Sequence, residues 1–173
     1  MEFRLDRAKE ILERTPATLK ALLQDLPAEW TSPNEGAGTW SPHEVVAHLI
    51  HGEKADWIPR ARIILAGDES ATFTPFEREG GFAEARRQPI NSLLQTFARL
   101  RAENLRTLAR LEVGEKQLDM AARHPTFGRV TMRQLLATWV VHDLNHLVQI
   151  SRVMSKQYDQ AVGPWKEFLG VLK

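Results

Sequence analysis

The sequence predicts an all-α protein, a bundle of four long helices, and three observations predict it. Four stretches carry apolar residues at alternating steps of three and four, the period of a helix buried along one side. Two of them open with a capping box, Ser41-Pro42-His43-Glu44 and Thr131-Met132-Arg133-Gln134. Strict apolar/polar alternation, the mark of a half-buried strand, is almost absent.

The first helix spans residues 2 to 26, with Leu5, Ala8, Leu12, Leu19, Leu22, Leu23 and Leu26 on its apolar side. Pro16 removes a backbone donor from its middle, so a kink or a split is expected there. Residues 27 to 39, rich in Pro, Gly, Ser and Asn, read as a loop. Ser41 then caps the second helix, Pro42 suits its first position, and Trp40 can staple to Val45. Pro59 should bend this helix and Gly67 should stop it. Residues 67 to 88 show no period; a connection of this length is uncommon unless it covers a site or crosses the molecule.

Pro89 opens the third helix, which runs to about residue 112 with Leu93, Leu94, Phe97, Leu100, Leu108 and Leu111 inside and Asn104 on the same stripe. Residues 113 to 130 are polar and broken by His124-Pro125 and Gly128, with room for a short extended piece. Thr131 caps the fourth helix, and after Ser155 a loop leads to a short amphipathic helix beginning at Pro164. No repeat or second domain is evident, so residues 1 to 173 read as one domain, large enough to bury a core without cross-links.

Composition narrows the function classes. With 43% hydrophobic and 26% charged residues the chain reads as an ordinary globular protein. A net charge of +1 argues against a broad basic face for nucleic acid. No apolar run is long enough for a membrane span, and the acid-rich N-terminus is unlike a signal peptide, so the expected compartment is the cytoplasm. There is no cysteine, which excludes disulfides, thiolate catalysis by the protein and Cys-ligated zinc.

The chemistry concentrates in the fourth helix. Met132, Leu135, Trp139, His142, His146, Gln149 and Val153 form one stripe, so two histidines one turn apart occupy positions where Leu or Val would ordinarily sit. Such a pair arises by chance in roughly one shuffled sequence in six, so spacing alone is weak evidence. Burying two imidazoles without partners costs a few kcal/mol, which either hydrogen bonds or a shared metal ion would offset. A third ligand is needed for a firm site. His48, on the inward face of the second helix, is the best candidate and His51 the next; His43 should be exposed, and His124 lies in a loop. Three neutral imidazoles suit Zn²⁺, Ni²⁺ or Fe²⁺. There is no HExxH, and no general base stands out. Glu53, Asp56 and Gln149 are the polar neighbours, and Asp143 points about 100° away from His142. Trp139 reads as core, and Trp57 as either core or pocket wall.

Trp40 to Leu49, WSPHEVVAHL, followed far downstream by His142 to Ile150, HDLNHLVQI, resembles the DinB-like superfamily, including its YfiT-type metal-dependent hydrolases. The resemblance covers nearly the whole chain. It implies a four-helix bundle of up-down-down-up topology, a long crossover between helices two and three, and homodimers. In that family the histidine eight residues after the tryptophan and both histidines of the HxxxH bind one divalent metal ion; the matching residues here are His48, His142 and His146. Relatives include enzymes using a low-molecular-weight thiol, among them mycothiol-dependent isomerases. The departure is the missing acid beside the triad. The implied activity is attack of metal-activated water or thiol on a small electrophilic molecule. The alternatives are a non-catalytic dimer with a structural metal or histidine network, and a metal-free stress-response binding module.

Overall fold

In the computed structural model, which describes residues 1–173, the first helix α1 spans Leu5–Leu23 without a break. The expected split at Pro16 does not occur. Pro16 has no N–H for the Leu12 carbonyl one turn back, but the Arg101 Nη1 donates to that oxygen at 2.9 Å. A side chain from another helix thus replaces the missing bond. A one-turn helix, α2 (Ala28–Thr31), interrupts the loop that follows.

The second helical stretch is divided into α3 (Pro42–Ala55) and α4 (Trp57–Leu65). Its N-terminus is the capping box read from the sequence: Ser41 accepts from the Glu44 N–H, and Glu44 accepts from the Ser41 N–H at 3.0 Å. Trp40 and Val45 are buried in one cluster, as a staple requires. The break falls at Asp56, three residues before Pro59, because the missing Pro59 N–H leaves the turn beneath it free to unwind.

The 67–88 connection is fixed to the bundle at several points. Phe73 N–H donates to the Arg123 carbonyl and Arg123 N–H to the Ala71 carbonyl, both at 2.9 Å. A Cβ on Gly81 would lie 3.1 Å from the Ala47 carbonyl, so glycine lets this backbone rest directly on α3. A short helix, α5 (Phe82–Ala85), follows. His43, expected to be exposed, is half-buried, and its Nε2 donates to the Gln88 carbonyl at 2.9 Å, tying down the end of the connection.

Helix α6 (Ile90–Arg110) is followed by α7 (Glu115–Leu118) and an antiparallel hairpin of β1 (Ala121–His124) and β2 (Gly128–Thr131), with Ala121 opposite Thr131 and His124 opposite Gly128. Helix α8 (Met132–Lys156) completes the four. The short helix expected beyond it does form, but as two 3-10 segments, Gly163–Phe168 and Gly170–Leu172, and of its apolar residues Leu172 is buried while Trp165 and Phe168 are exposed. No helix is long and apolar enough to cross a membrane.

In the bundle α1 and α3 each pack against both α6 and α8. Named contacts set the directions. Asp25 bonds Asn91 and Leu12 bonds Arg101, so α1 and α6 are antiparallel. His43 meets Gln88 and Glu53 meets Asn104, so α3 and α6 are parallel. His48 meets His142 and Glu53 meets Trp139, so α3 and α8 are antiparallel. The apolar core falls into two clusters, one around Trp40, Phe82 and Phe97, the other around Trp57, Phe73 and Trp139. Along their helices Glu53, Arg101 and Asp143 each fall between a member of one cluster and a member of the other. They form a polar layer through the middle.

Candidate metal centre

Helix α3 supplies His48, and α8 supplies His142 and His146 one turn apart. The helices cross so that the three Nε2 atoms converge: His142 Nε2 is 2.9 Å from that of His48 and 3.1 Å from that of His146. One ligand-capable atom from each ring lies within 4.8 Å of the others. The outer nitrogens define the tautomers. His48 Nδ1 lies 2.8 Å from the Arg78 carbonyl oxygen, which can only accept, so Nδ1 carries the proton and Nε2 the lone pair. His146 Nδ1 donates to the Gln149 side-chain oxygen at 2.7 Å, with the same result. Two lone pairs therefore aim at His142, which has at most one Nε2 proton to offer. Its buried Nδ1 has no partner at all.

Hydrogen bonding within the chain cannot satisfy this arrangement. A cation at the convergence point would satisfy all three acceptors at once, and the spacing suits ligands about 2.1 Å from a first-row ion. Charge points the same way. Burial is the main cause that lowers the pKa of all three imidazoles, with His48 brought down to about 4 and His142 to about 2. Mutual repulsion with His146 adds to the fall in His48 and His142. The rings are neutral at neutral pH, the state a metal requires.

The sign of the pH dependence follows. As pH falls from about 6.5 towards 4, the unfolded chain takes up protons at these histidines that the folded state refuses, so folding is progressively disfavoured; above pH 7 the penalty vanishes. Chelator-treated protein is expected to lose melting temperature across that window more steeply than a variant with leucine at positions 48, 142 and 146. Parallel pH profiles for the two proteins would contradict this.

A cavity of about 490 Å³ opens onto the three rings. Trp57, Phe76 and Phe127 form apolar walls, and Asp56, Arg60, Arg78, His124, Thr138 and Asn145 add polar groups. Trp57 serves both roles allowed for it: it lines the cavity and stacks on Trp139 at 5.5 Å. His51 turns aside to pack against Phe76, with the ring centroids 4.8 Å apart, and His124 accepts from the Thr126 and Phe127 N–H groups, so neither joins the triad. A separate cleft of about 480 Å³ between α1 and α6 contains no histidine.

Behind the triad lies an ionic cluster. Arg101, 1% exposed, donates to both oxygens of Asp143, to Glu53 Oε1 at 2.8 and 3.1 Å, and to Leu12 as described. Trp139 Nε1 and Asn104 Nδ2 also donate to the Glu53 carboxylate, at 3.1 and 2.9 Å. Burial raises the Glu53 pKa, and these donors oppose the rise. Asp143, which points away from His142, is fully buried and is the clamp holding this turn of α8 to α6.

Sequence reasoning passed over Arg101, although it stands four residues after Phe97 on the α6 stripe, where a charge demands an explanation. It treated Asp56 only as a neighbour, yet Asp56 is buried and is the one carboxylate lining the cavity. Arg78 lies in the aperiodic connection, and no sequence signal marked it.

A family model described as the DinB superfamily matches residues 11–150. YfiT from Bacillus subtilis, described as a probable metal-dependent hydrolase with an unusual four-helix bundle topology, superposes with a TM-score of 0.74 at 20% identity, over 90% of this chain and 93% of that one. TT2238, described as a four-helix bundle protein, superposes with a TM-score of 0.57 at 22% identity, over 86% of this chain and 98% of that one. No curated protein matches the chain. At these identities the two structures establish the four-helix bundle fold.

Proposed function

The chain belongs to the DinB superfamily, and from that premise we propose that it is a divalent-metal-dependent enzyme using water or a low-molecular-weight thiol against a small electrophilic molecule. The observation that carries the proposal is the convergence of three imidazole lone pairs on one point beside an open cavity. His48, His142 and His146 would hold the ion, as Zn²⁺, Ni²⁺ or Fe²⁺. Such an ion, when bound, lowers the pKa of a ligated water or thiol and polarises an electrophile. YfiT's description as a probable metal-dependent hydrolase agrees with this reading.

The chain's own residues supply the rest. Asp56 is the base: its carboxylate accepts the proton of the attacking water or thiol and returns it to the departing group. Burial raises the Asp56 pKa above the ordinary carboxylate value, which makes it a stronger proton acceptor. Arg60 Nε, 2.6 Å from Asp56 Oδ1, opposes that rise and fixes the carboxylate in place. Trp57, Phe76 and Phe127 reduce the access of bulk water to the reacting atoms.

The test uses protein purified without a histidine tag. Metal analysis is expected to find one divalent ion per chain, and 4-nitrophenyl acetate hydrolysis or conjugation of cysteine to 1-chloro-2,4-dinitrobenzene should depend on it. Asp56→Asn is expected to keep the ion and lower kcat by about 10²- to 10⁴-fold, the usual contribution of a general base. A chain that neither retains an ion nor gains thermal stability on adding Zn²⁺ or Ni²⁺ would end the proposal. Full activity in Asp56→Asn would remove that residue's role.

A further inference from the structure

Arg78 is the cation in the cavity wall that nothing in the chain neutralises. Its backbone carbonyl holds His48, but its guanidinium forms no hydrogen bond or ion pair and lies 5.3 Å over the Trp40 ring. The adjacent Glu77 and Glu79 do not pair with it. Arg60, the other cavity arginine, is taken up by Asp56. The fixed charges lining the cavity are therefore two arginines against one carboxylate, leaving one positive charge, and that charge sits on Arg78. Arg78 also lines a smaller cleft that shares Asn145 and His146 with this cavity, and its charge acts on both His48 and His146.

An arginine stacked on an aromatic face keeps its planar edge available, and that edge matches the two oxygens of a carboxylate. The cavity volume, about 490 Å³, suits a small organic molecule, and its aromatic walls suit an apolar body. Resting on the metal-centre reading above, we propose that the reactant is a small organic monocarboxylate whose anionic end is held by Arg78, which makes Arg78 the residue that sets substrate specificity. The ion's own charge serves the reacting group, so the one guanidinium left without a partner is what receives the substrate's anionic end, and its planar edge fits a flat carboxylate. Because only the carbonyl of Arg78 supports His48, replacing its side chain leaves the triad intact.

Titrating the zinc-loaded chain with benzoate, benzamide and phenyl phosphate, by calorimetry or quenching of tryptophan fluorescence, tests this. Benzoate is expected to bind about tenfold more tightly than benzamide, which has the same shape and no charge. Arg78→Gln should erase that preference with zinc stoichiometry unchanged, Arg78→Lys should retain part of it, and added salt should shrink it, since the guanidinium is exposed. The proposal is overturned if benzoate binds no better than benzamide, if Arg78→Gln keeps the preference, or if phenyl phosphate binds best. A preference that survives Arg78→Gln but disappears on removing zinc places the anion on the ion; the Arg78 assignment then fails and the metal reading stands. If no protein retains zinc, the metal reading fails, and the same titrations still decide whether Arg78 selects the carboxylate.

Discussion

Replacing His142 with leucine is expected to abolish stoichiometric binding of a divalent ion while leaving the ion-free protein at least as stable as its parent. His142 Nε2 stands between the lone pairs of His48 and His146, and its own Nδ1 is buried without a partner. Without a cation this is a cluster of competing acceptors, and an apolar side chain of similar size relieves it. With a cation the balance reverses. Loss of one of three ligands should weaken binding by more than the roughly 10- to 100-fold typical of an outer supporting residue. An ion held at a thousand times its Kd stabilises the folded state by about 4 kcal/mol. For a chain of this size that corresponds to a rise of roughly 8–16 °C in Tm. The parent should show a rise of that order with Zn²⁺ or Ni²⁺, and His142→Leu should show none. Thermal melts with and without metal, read beside metal analysis, check both halves. A His142→Leu protein that binds and is stabilised as its parent is would remove the centre from the triad.

The second large effect belongs to Arg101→Met. This one side chain neutralises Asp143 and Glu53 in the core and fills the hydrogen-bonding role that Pro16 leaves open at Leu12. Removing it strands two buried carboxylates and a carbonyl. Breaking a buried ion pair from one side costs about 3–5 kcal/mol, and an unpaired buried carbonyl adds about 1–3 kcal/mol. The expected fall in Tm is on the order of 10 °C or more at pH 7. The pH dependence identifies the cause. In the variant Glu53 loses the guanidinium that opposed the burial-driven rise in its pKa, so its folded-state value climbs further above the unfolded one. The deficit should therefore be largest above that folded value and shrink as pH falls. A companion carrying Arg101→Met, Glu53→Gln and Asp143→Asn together should recover most of the loss. A single variant less than about 1 kcal/mol below its parent would show that the cluster is not what holds α6, α3 and α8 together. Because Asp143 follows His142 directly, Arg101→Met should also weaken metal binding by loosening that turn of α8.

Much of this molecule is legible in the order of its residues. Helical period and capping chemistry are local properties, so the four long helices, the Ser41 and Thr131 caps and the short extended piece before α8 were all legible. The i,i+4 pair on an otherwise apolar stripe marked His142 and His146, and His48 followed from an inward face on a second helix. Local patterning could not say that Pro16 would leave α1 whole, because the group that repairs the helix arrives from residue 101, far along the chain. It could not place the break at Asp56, foresee that the tail would leave its aromatic residues in solvent, or show that Asp56 and Arg78 face the cavity. A side chain's charge state and partner depend on which helices cross and where, and that is decided only when the whole bundle closes. Residue types and their spacing limit which side chains can hold a metal; the packing of α3 against α8 makes their lone pairs meet and sets what surrounds them.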